Sequence, residues 1–353
     1  MAGPRKTSAA PKPAARGGNG DGPRRVTMSD VAKLAGVAPM TVSNCFRATS
    51  RVHPETLAKV TAAAKKLGYV RNLVAGGLAS GRSQVIGVLV PSLQNSNFAQ
   101  TLQGLQDRLH VLDYQLMLAV ATTPEREEAS VRTFIERRVD GIVLTGVEHD
   151  PATVGLLRSS GLPVVETWSL RGPFVDMGVG FSLYDAAREM VALMVERGYR
   201  RIGFAGFNPP MADRFHERQR GFQDAMKAAG LRTDLLAYAD QSAGFAAGRL
   251  ALEALLAKEP KLDGLFCATD ILAAGAIFEC ARRRWSVPGR LGIAGYGDYE
   301  IASELTPKLT TVSTPGYEMG VAAADMLVEK LAGDAPRERV RDVGYALALR
   351  DSV

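Results

Sequence analysis

Three short amphipathic segments near the N-terminus constrain the fold of this chain more than any other feature. They lie in VTMSDVAKLAGVAPMTVSNCFR, which begins at Val26, and in RVHPETLAKVTAAAKKLGYVRN, which begins at Arg51. Gly36 stands between the first two segments, where glycine commonly ends a helix in the left-handed conformation. Because no segment this short can bury a core by itself, the pattern predicts three helices packed as a helix-turn-helix unit.

The apolar residues of each segment recur at helical spacing, which predicts one small core shared by the three helices. The residues expected in this core are Val31, Leu34, Ala35, Val42, Cys45, Phe46, Leu57, Val60, Ala64 and Leu67. Thr27 and Asp30 have the spacing of a capping box at the start of the first helix. Met40, Thr41 and Asn44 remain on the outer face of the second helix.

The charge of the chain is concentrated in this N-terminal region. Residues 1–83 contain 14 Lys and Arg against three Asp and Glu, so they carry a net charge of +11, and the remaining residues carry −5 of the total of +6. A basic head on a mildly acidic body indicates that the head meets a polyanion. Residues 1–25 contain little besides Pro, Ala, Gly and basic residues, and this composition predicts a disordered tail.

From Val85 onward, short apolar runs alternate with helical stretches. The runs are VIGVLV (85–90), YQLMLAV (114–120), GIVLTG (141–146), PVVETW (163–168), RIGFAG (201–206), GLFCAT (264–269) and LGIAGYG (291–297). The helical stretches include Phe98–Val111, Tyr184–Glu196, Arg218–Ala229 and Ile271–Arg284. This alternation predicts buried parallel sheets flanked by helices, and about 270 residues of it exceed one usual sheet. We therefore expect two α/β lobes, with a ligand cleft at the carboxyl ends of their strands.

Composition and motifs exclude several classes of protein. No apolar run reaches the roughly 18 residues of a membrane span, and no signal peptide is evident. The cysteines, Cys45, Cys267 and Cys280, lack metal or redox spacing and suit a reducing cytoplasm. The histidines at 53, 110, 149 and 216 show no metal spacing, and no nucleophile elbow or nucleotide-binding glycine pattern is present. We expect no catalytic residues, no metal and no cofactor.

The chain from about residue 26 to 350 resembles the LacI family of bacterial transcription regulators. The resemblance rests on motifs that follow one another at the family's intervals. They are VTMSDVAKLAGVAPMTVSNCFR, LGYVRNLVAGGLASG, VIGVLVPSLQNSNFAQTLQGLQ, VERGYRRIGFAG, RQRGF, ATDILAAGA and GIAGYGD followed by LTTV. The details ETW, RQRGF and GYGD are more similar to the gluconate-repressor branch than to the lactose or purine branches.

The resemblance implies a domain organisation. A helix-turn-helix DNA-binding domain at 26–70 follows the tail at 1–25, and a hinge at 71–83 connects it to a core at 84–353. The fold class is a small all-α domain followed by a two-lobed α/β core of the periplasmic-binding-protein type I, with parallel sheets. The core would bind an effector and form a homodimer. No leucine heptads of the kind that make some relatives tetramers are present.

The resemblance also implies which residues contact DNA. The second helix would lie in the major groove of a palindromic operator. Pro39, Met40 and Asn44 take the base-reading positions, and Thr41 and Ser43 offer hydroxyl groups to phosphates or to the local fold. Residues Asn72–Ser80 match the family's hinge helix, in which Asn72 is also expected to contact DNA. Leu78 stands where the family places a leucine that wedges into the minor groove. A plain flexible linker is the alternative interpretation of this segment.

For the effector, the resemblance singles out Arg218 in the R-x-x-G-F motif, whereas Arg214 and Arg220 are expected on the surface. Asn95 and Phe98 match positions that line the pocket, although Phe98 could equally belong to the core.

Four further residues complete the effector-binding set. Glu166 and Trp168 alternate along a strand and should therefore share one side, either the cleft or the packed interior. Thr269 or its neighbour could be only a helix cap. Asp298 stands one residue after the position of the family's acidic ligand.

Two functions of different classes remain open at this point. The first is a ligand-controlled DNA-binding repressor of carbohydrate or sugar-acid genes, with a gluconate-like effector. The second is a sugar-binding sensory or transport protein with the same core and without control of DNA. The basic head favours the first. No motif indicates the operator sequence, the target genes, or whether the effector releases or promotes DNA binding.

Overall fold

The computed structural model describes most of the chain. The described residues are 26–46, 52–70, 81–93, 96–207, 213–240, 244–333 and 338–353. The predicted tail, most of the predicted hinge with Asn72 and Leu78, and the predicted pocket residue Asn95 lie outside these residues. The chain divides into two compact units, Met1–Gly76 and Gly77–Val353.

The first unit contains three helices, α1 (Met28–Ala35), α2 (Pro39–Cys45) and α3 (Pro54–Leu67). The capping box is confirmed, because Thr27 accepts a hydrogen bond from the backbone of Asp30, whose carboxylate accepts one from the backbone of Thr27. Gly36 ends α1 with a φ of 69°, in the left-handed region where a side chain would be unfavourable. These local signals give α1 definite ends before any packing is considered.

The core of this unit is smaller than the sequence pattern predicted. Its buried residues are Val31, Ala32, Val42, Val60, Ala63 and Ala64, with Cys45, Phe46 and Leu67 packed against them. Leu34 and Leu57 were expected in the core, and this expectation is wrong, because 46% and 42% of their surfaces are exposed. Three helices of 8, 7 and 14 residues enclose too little volume to cover every apolar position of their faces.

The second unit contains two six-stranded sheets among its described residues. Strands of the first sheet are β1 (Val85–Val90), β2 (Gln115–Val120), β3 (Gly141–Thr145), β4 (Val164–Thr167), β5 (Met177–Gly180) and β11 (Val340–Asp342). Strands of the second sheet are β6 (Ile202–Phe207), β7 (Leu236–Ala239), β8 (Gly264–Cys267), β9 (Gly292–Gly297), β10 (Thr310–Ser313) and β12 (Ala346–Ala348). The predicted apolar runs are confirmed as β1–β4, β6, β8 and β9.

Helices alternate with these strands along the chain. They are α4 (Ser96–Val111), α5 (Pro124–Glu136), α6 (Pro151–Ser160), α7 (Leu183–Glu196), α8 (Asp213–Ala228), α9 (Phe245–Lys258), α10 (Asp270–Arg282), α11 (Glu300–Glu304) and α12 (Gly316–Leu331). Within the described residues, α4 packs on α12 and α7 packs on α8. Buried apolar side chains fill the space between helices and sheets, as expected for strands covered on both faces.

The strand order explains how the two sheets are joined. The first sheet runs β11-β5-β4-β3-β1-β2 and the second runs β12-β10-β9-β8-β6-β7. All pairs are parallel except β10 with β12, which are antiparallel. The chain passes from the first sheet to the second after β5, returns through α12 to β11, and passes back to β12. The first sheet therefore takes β11 from near the end of the chain, whereas every strand of the second sheet follows β5.

Candidate functional site

One cavity lies where the carboxyl ends of strands from both sheets meet. The segments that line it follow β1, β2, β3 and β4 of the first sheet and β8 and β9 of the second, together with the first turns of α4 and α8. The space measures about 890 Å³ when its mouth, which is open to solvent, is included. This is the position at which α/β sheets bind their ligands.

Arg218 lies on this cavity, as the sequence motif suggested. Only 7% of it is exposed, and its guanidinium carbon lies over two rings, 4.2 Å from the ring centroid of Tyr296 and 5.1 Å from that of Phe215. Its Nη1 donates to the carbonyl of Ala268 at 2.8 Å. Gly221 of the same motif allows this placement, because a Cβ there would lie 2.3 Å from the carbonyl oxygen of Tyr184 on α7.

Arg214 was expected on the surface, and this expectation is wrong. It is 7% exposed, lines the cavity, and lies one helical turn before Arg218 on the same face of α8. Its guanidinium is 5.3 Å from the ring centroid of Phe98. Burial lowers the pKa of Arg214 below its usual value, Asp213 opposes this effect, and the charge of Arg218 adds to it.

Phe98 and Trp168 form an aromatic wall on the side of the first sheet. Their rings meet edge to face with centroids 5.6 Å apart, and both residues line the cavity. Trp168 is 2% exposed, and its backbone has a φ of 74°, in the left-handed region. Since that conformation costs a bulky residue on the order of 1–3 kcal/mol, its surroundings must hold it there.

Thr269 has both of the roles that were left open. Its hydroxyl accepts a hydrogen bond from the backbone of Leu272 at 3.4 Å, which makes it the N-cap of α10, and the residue also lines the cavity. The neighbouring Asp270 is a structural residue. Its carboxylate accepts from the backbone of Tyr299 and from the hydroxyl of Thr311, and burial raises its pKa to about 6.

Glu166 does not line the cavity, in contrast to the expectation that it shares a side with Trp168. Its side chain is fully buried against His149, whose Nε2 is 3.3 Å from Glu166 Oε1, and it accepts from the backbone of Val175 at 2.5 Å. The alternation argument fails because β4 ends at Thr167, so the turn at Trp168 directs the indole elsewhere.

Asp298 also lies outside the cavity lining. Its carboxylate accepts a hydrogen bond from Arg350 Nη2 at 2.7 Å, so the side chain is engaged with a residue that follows β12. Asn95, the other predicted pocket residue, lies outside the described part of the chain. Of the predicted effector residues, the structure therefore brings together Phe98, Trp168, Arg218 and Thr269.

The candidate DNA-reading residues lie on α2. Pro39 and Met40 are exposed, and Thr41, Ser43 and Asn44 are half-buried. Met40 exposes 66% of its surface, although it is large and apolar. The helix starts without a side-chain cap, because its N-cap residue is Ala38. Pro39 has no backbone N–H, and those of Thr41 and Val42 donate to the carbonyl of Ala38, so the start of α2 offers few backbone donors to a phosphate.

Neither a metal site nor a membrane-spanning helix is found among the described residues. No group of His, Cys, Asp and Glu there has an arrangement that could hold a metal ion. None of the helices described combines the length and the apolar character that crossing a membrane requires.

Comparisons with known proteins agree for both units. Residues 27–72 match the family described as bacterial regulatory proteins, lacI family, and residues 191–353 match the periplasmic binding protein-like domain. The HTH-type transcriptional regulator GntR of Escherichia coli strain K12 is 34% identical over 331 residues, which are 94% of this chain and 99% of that protein.

Two solved structures are similarly close. A LacI-family transcriptional regulator from Silicibacter pomeroyi is 34% identical and has a TM-score of 0.85, over 93% of this chain and 99% of its own. The transcription regulator GntR from Chromobacterium violaceum is 35% identical and has a TM-score of 0.73, over 76% of this chain and 98% of its own. Both structures agree with the family resemblance stated from the motifs, and the two GntR regulators agree with its gluconate-repressor branch.

Proposed function

This chain belongs to the LacI family of bacterial regulatory proteins and is a DNA-binding transcriptional regulator rather than an enzyme; on that premise we propose that a sugar acid such as gluconate controls it. The gene class that it represses would then be one of sugar-acid metabolism. The observation that carries the proposal is the buried, ring-stacked Arg218 on the cavity between the two sheets. A guanidinium in such a place suits a carboxylate through its planar fork of donors.

We propose that the DNA-reading surface is the outer face of α2. Asn44 can pair with the edge of an adenine, and Met40 can contact a thymine methyl group. Pro39 lies beside them, and Thr41 and Ser43 can donate to phosphates. The basic residues of the head support this role, because phosphate neutralisation supplies most of the sequence-independent affinity for DNA.

Control of DNA binding would follow from a population shift. The cavity is lined by segments of both sheets, so a ligand that binds it favours one angle between the two lobes. In a homodimer that angle sets the separation of the two hinges, and therefore whether both heads reach the half-sites of a palindrome. The hinge wedge at Leu78 is part of this proposal and rests on the family motif alone.

The test combines calorimetry with an electrophoretic shift on the promoter of the protein's own gene. Gluconate, other sugar acids and their uncharged polyols are titrated into the parent, and the acids should bind much more tightly. Arg218→Gln should lower the affinity for the acid at least about tenfold, because a charge-assisted hydrogen bond contributes roughly 1.5–3 kcal/mol. Arg218→Gln should still shift the promoter fragment in the absence of ligand, because its DNA-binding domain is unchanged.

Arg220→Gln is the matched control, because Arg220 is exposed on the same helix. This variant should bind both acid and DNA as the parent does. Equal affinity of the parent for an acid and its polyol would overturn the sugar-acid proposal. Failure to shift any fragment of the promoter would mean that the operator does not lie before the protein's own gene.

A further inference from the structure

Three buried N–H donors on the cavity lining have no hydrogen-bond partner among the described residues. They are Nη1 of Arg214, Nε of Arg218 and Nε1 of Trp168. All three groups can only donate, and none can accept. A buried donor without a partner costs about 1–3 kcal/mol, so such a set is expected to be completed by a ligand that supplies acceptors.

The two arginines do not have the same freedom. One Nη of Arg218 already donates to the carbonyl of Ala268, and its guanidinium carbon lies over the rings of Tyr296 and Phe215. Arg214 has the ring of Phe98 near one face, and the structure gives no hydrogen bond from its guanidinium to a described residue. Among the described residues, Arg214 therefore has fewer hydrogen-bond partners than Arg218.

The charges that line the cavity leave one buried positive charge to balance. Of the buried ones, Arg214 and Arg218 are positive and Asp213 is negative. Asp213 already accepts from the backbone of Val147 at 3.0 Å. Glu148 belongs to the exposed rim, and Glu217, although buried on α8, contacts the hydroxyl of Ser169 instead of the cavity. A monoanion would complete this set.

We propose that Arg214 binds the carboxylate of the effector together with Arg218, and that the indole N–H of Trp168 donates to one of its hydroxyl groups. The two guanidiniums lie one turn apart on one face of α8, so a single carboxylate can accept from both. This inference rests on the proposed function, because it assigns the acid group of a sugar acid. It makes Arg214 the residue that distinguishes an acid from a neutral sugar.

The burial of Arg214 supports this assignment. Its lowered pKa expresses the cost of holding a cation away from water, and a bound carboxylate would reduce that cost. A neutral sugar would leave the charge uncompensated in the same surroundings. The residues already present on the cavity lining are therefore sufficient to select an acid over a neutral sugar.

The experiment measures the binding of gluconate and of its polyol, glucitol, to the parent and to Arg214→Gln, Arg214→Lys and Arg220→Gln. Calorimetry gives the affinity for gluconate, and the ligand-induced shift in Tm at high concentration measures the weaker binding of glucitol. Arg214→Gln should bind gluconate at least about tenfold more weakly while its response to glucitol stays at the level of the parent. Arg214→Lys keeps the charge but loses the planar set of guanidinium donors. Its affinity for gluconate should therefore lie between those of the parent and of Arg214→Gln.

If Arg214 had only a structural role, its replacement would weaken the binding of both ligands and lower the Tm of the ligand-free protein. That pattern, or a variant that binds gluconate as tightly as the parent, would overturn the assignment of Arg214. If the parent itself binds no sugar acid, the proposed function fails first. Arg220→Gln should behave as the parent in every arm.

Discussion

Met40 exposes two-thirds of its surface on α2, whereas Val42, two residues later, is fully buried. The exposed thioether contributes nothing to the small core of the first unit. It is flexible and polarizable, and it suits contact with a thymine methyl group. The residue is therefore better explained by what it meets on DNA than by its contribution to stability.

Met40→Ala should weaken operator binding by several-fold, about 1 kcal/mol, because burial of part of a methionine side chain against a base is lost. The Tm should not change, since no buried contact is removed. Leu34→Ala is the control, because Leu34 is likewise exposed but lies on α1. The measurement is a fluorescence titration of labelled operator. Unchanged affinity of Met40→Ala would exclude its position from the reading surface.

At single residues, prediction from sequence succeeded where the signal was local. The capping box of Thr27 and Asp30 depends on three-residue spacing, and it is present as predicted. Glu166 was misplaced because alternation holds only while a strand continues, and β4 ends before Trp168. Arg214 was missed, although its position four residues before Arg218 could have placed both on one face.

At the scale of elements, a buried ionic cluster joins three segments that form the cavity wall. His149, in the loop between β3 and α6, contacts Glu127 on α5 at 2.7 Å and Glu166 on β4 at 3.3 Å. Both side chains of each contact are almost fully buried. Each segment continues to a residue of the lining, so this cluster holds the first-sheet side of the cavity together.

The cluster makes stability depend on pH. Burial alone would lower the pKa of His149, but hydrogen bonds and charges from Glu127 and Glu166 outweigh it and raise the pKa to about 9. A histidine with a raised pKa stabilises the fold fully below its unfolded value of about 6.5 and loses that contribution as the pH rises through 9. The contribution is on the order of 3 kcal/mol.

His149→Gln should therefore be much less stable than the parent near pH 6.5, and the difference should shrink by pH 9.5. Urea titrations at several pH values measure it. His110→Gln, at an exposed position, serves as the control and should follow the parent throughout. A constant difference across this range would mean that His149 is neutral in the folded protein.

The apolar runs predicted from the sequence did not include the short strands β5, β7, β10, β11 and β12. β5 and β7 have four residues each, MGVG and LAYA, and neither is long enough to show an apolar period. β11 and β12 have three residues each, and partly exposed positions break their apolar character. Their strand conformation comes from pairing with neighbours that are distant in sequence, which a local pattern does not contain.

At the scale of the whole molecule, the uneven charge predicts two different responses to salt. The affinity of the full protein for its operator should fall at least about 10²-fold between 50 and 200 mM salt, because each neutralised phosphate releases a counterion. The affinity for gluconate should change by less than about threefold, because the charges of its site are buried and poorly screened. Parallel titrations of both ligands measure the two slopes, and an operator affinity that is insensitive to salt would contradict the DNA-reading role.

The path of the chain between the sheets also fixes an order of events during translation. The first unit has a core of its own, so its helices can pack as soon as residues up to Leu67 have left the ribosome. The effector-binding unit must wait, since β11 and β12 add the last strands to the first and second sheets. Until residue 348 has emerged, the growing chain carries a DNA reader without a completed receptor, so ligand control begins later than DNA recognition.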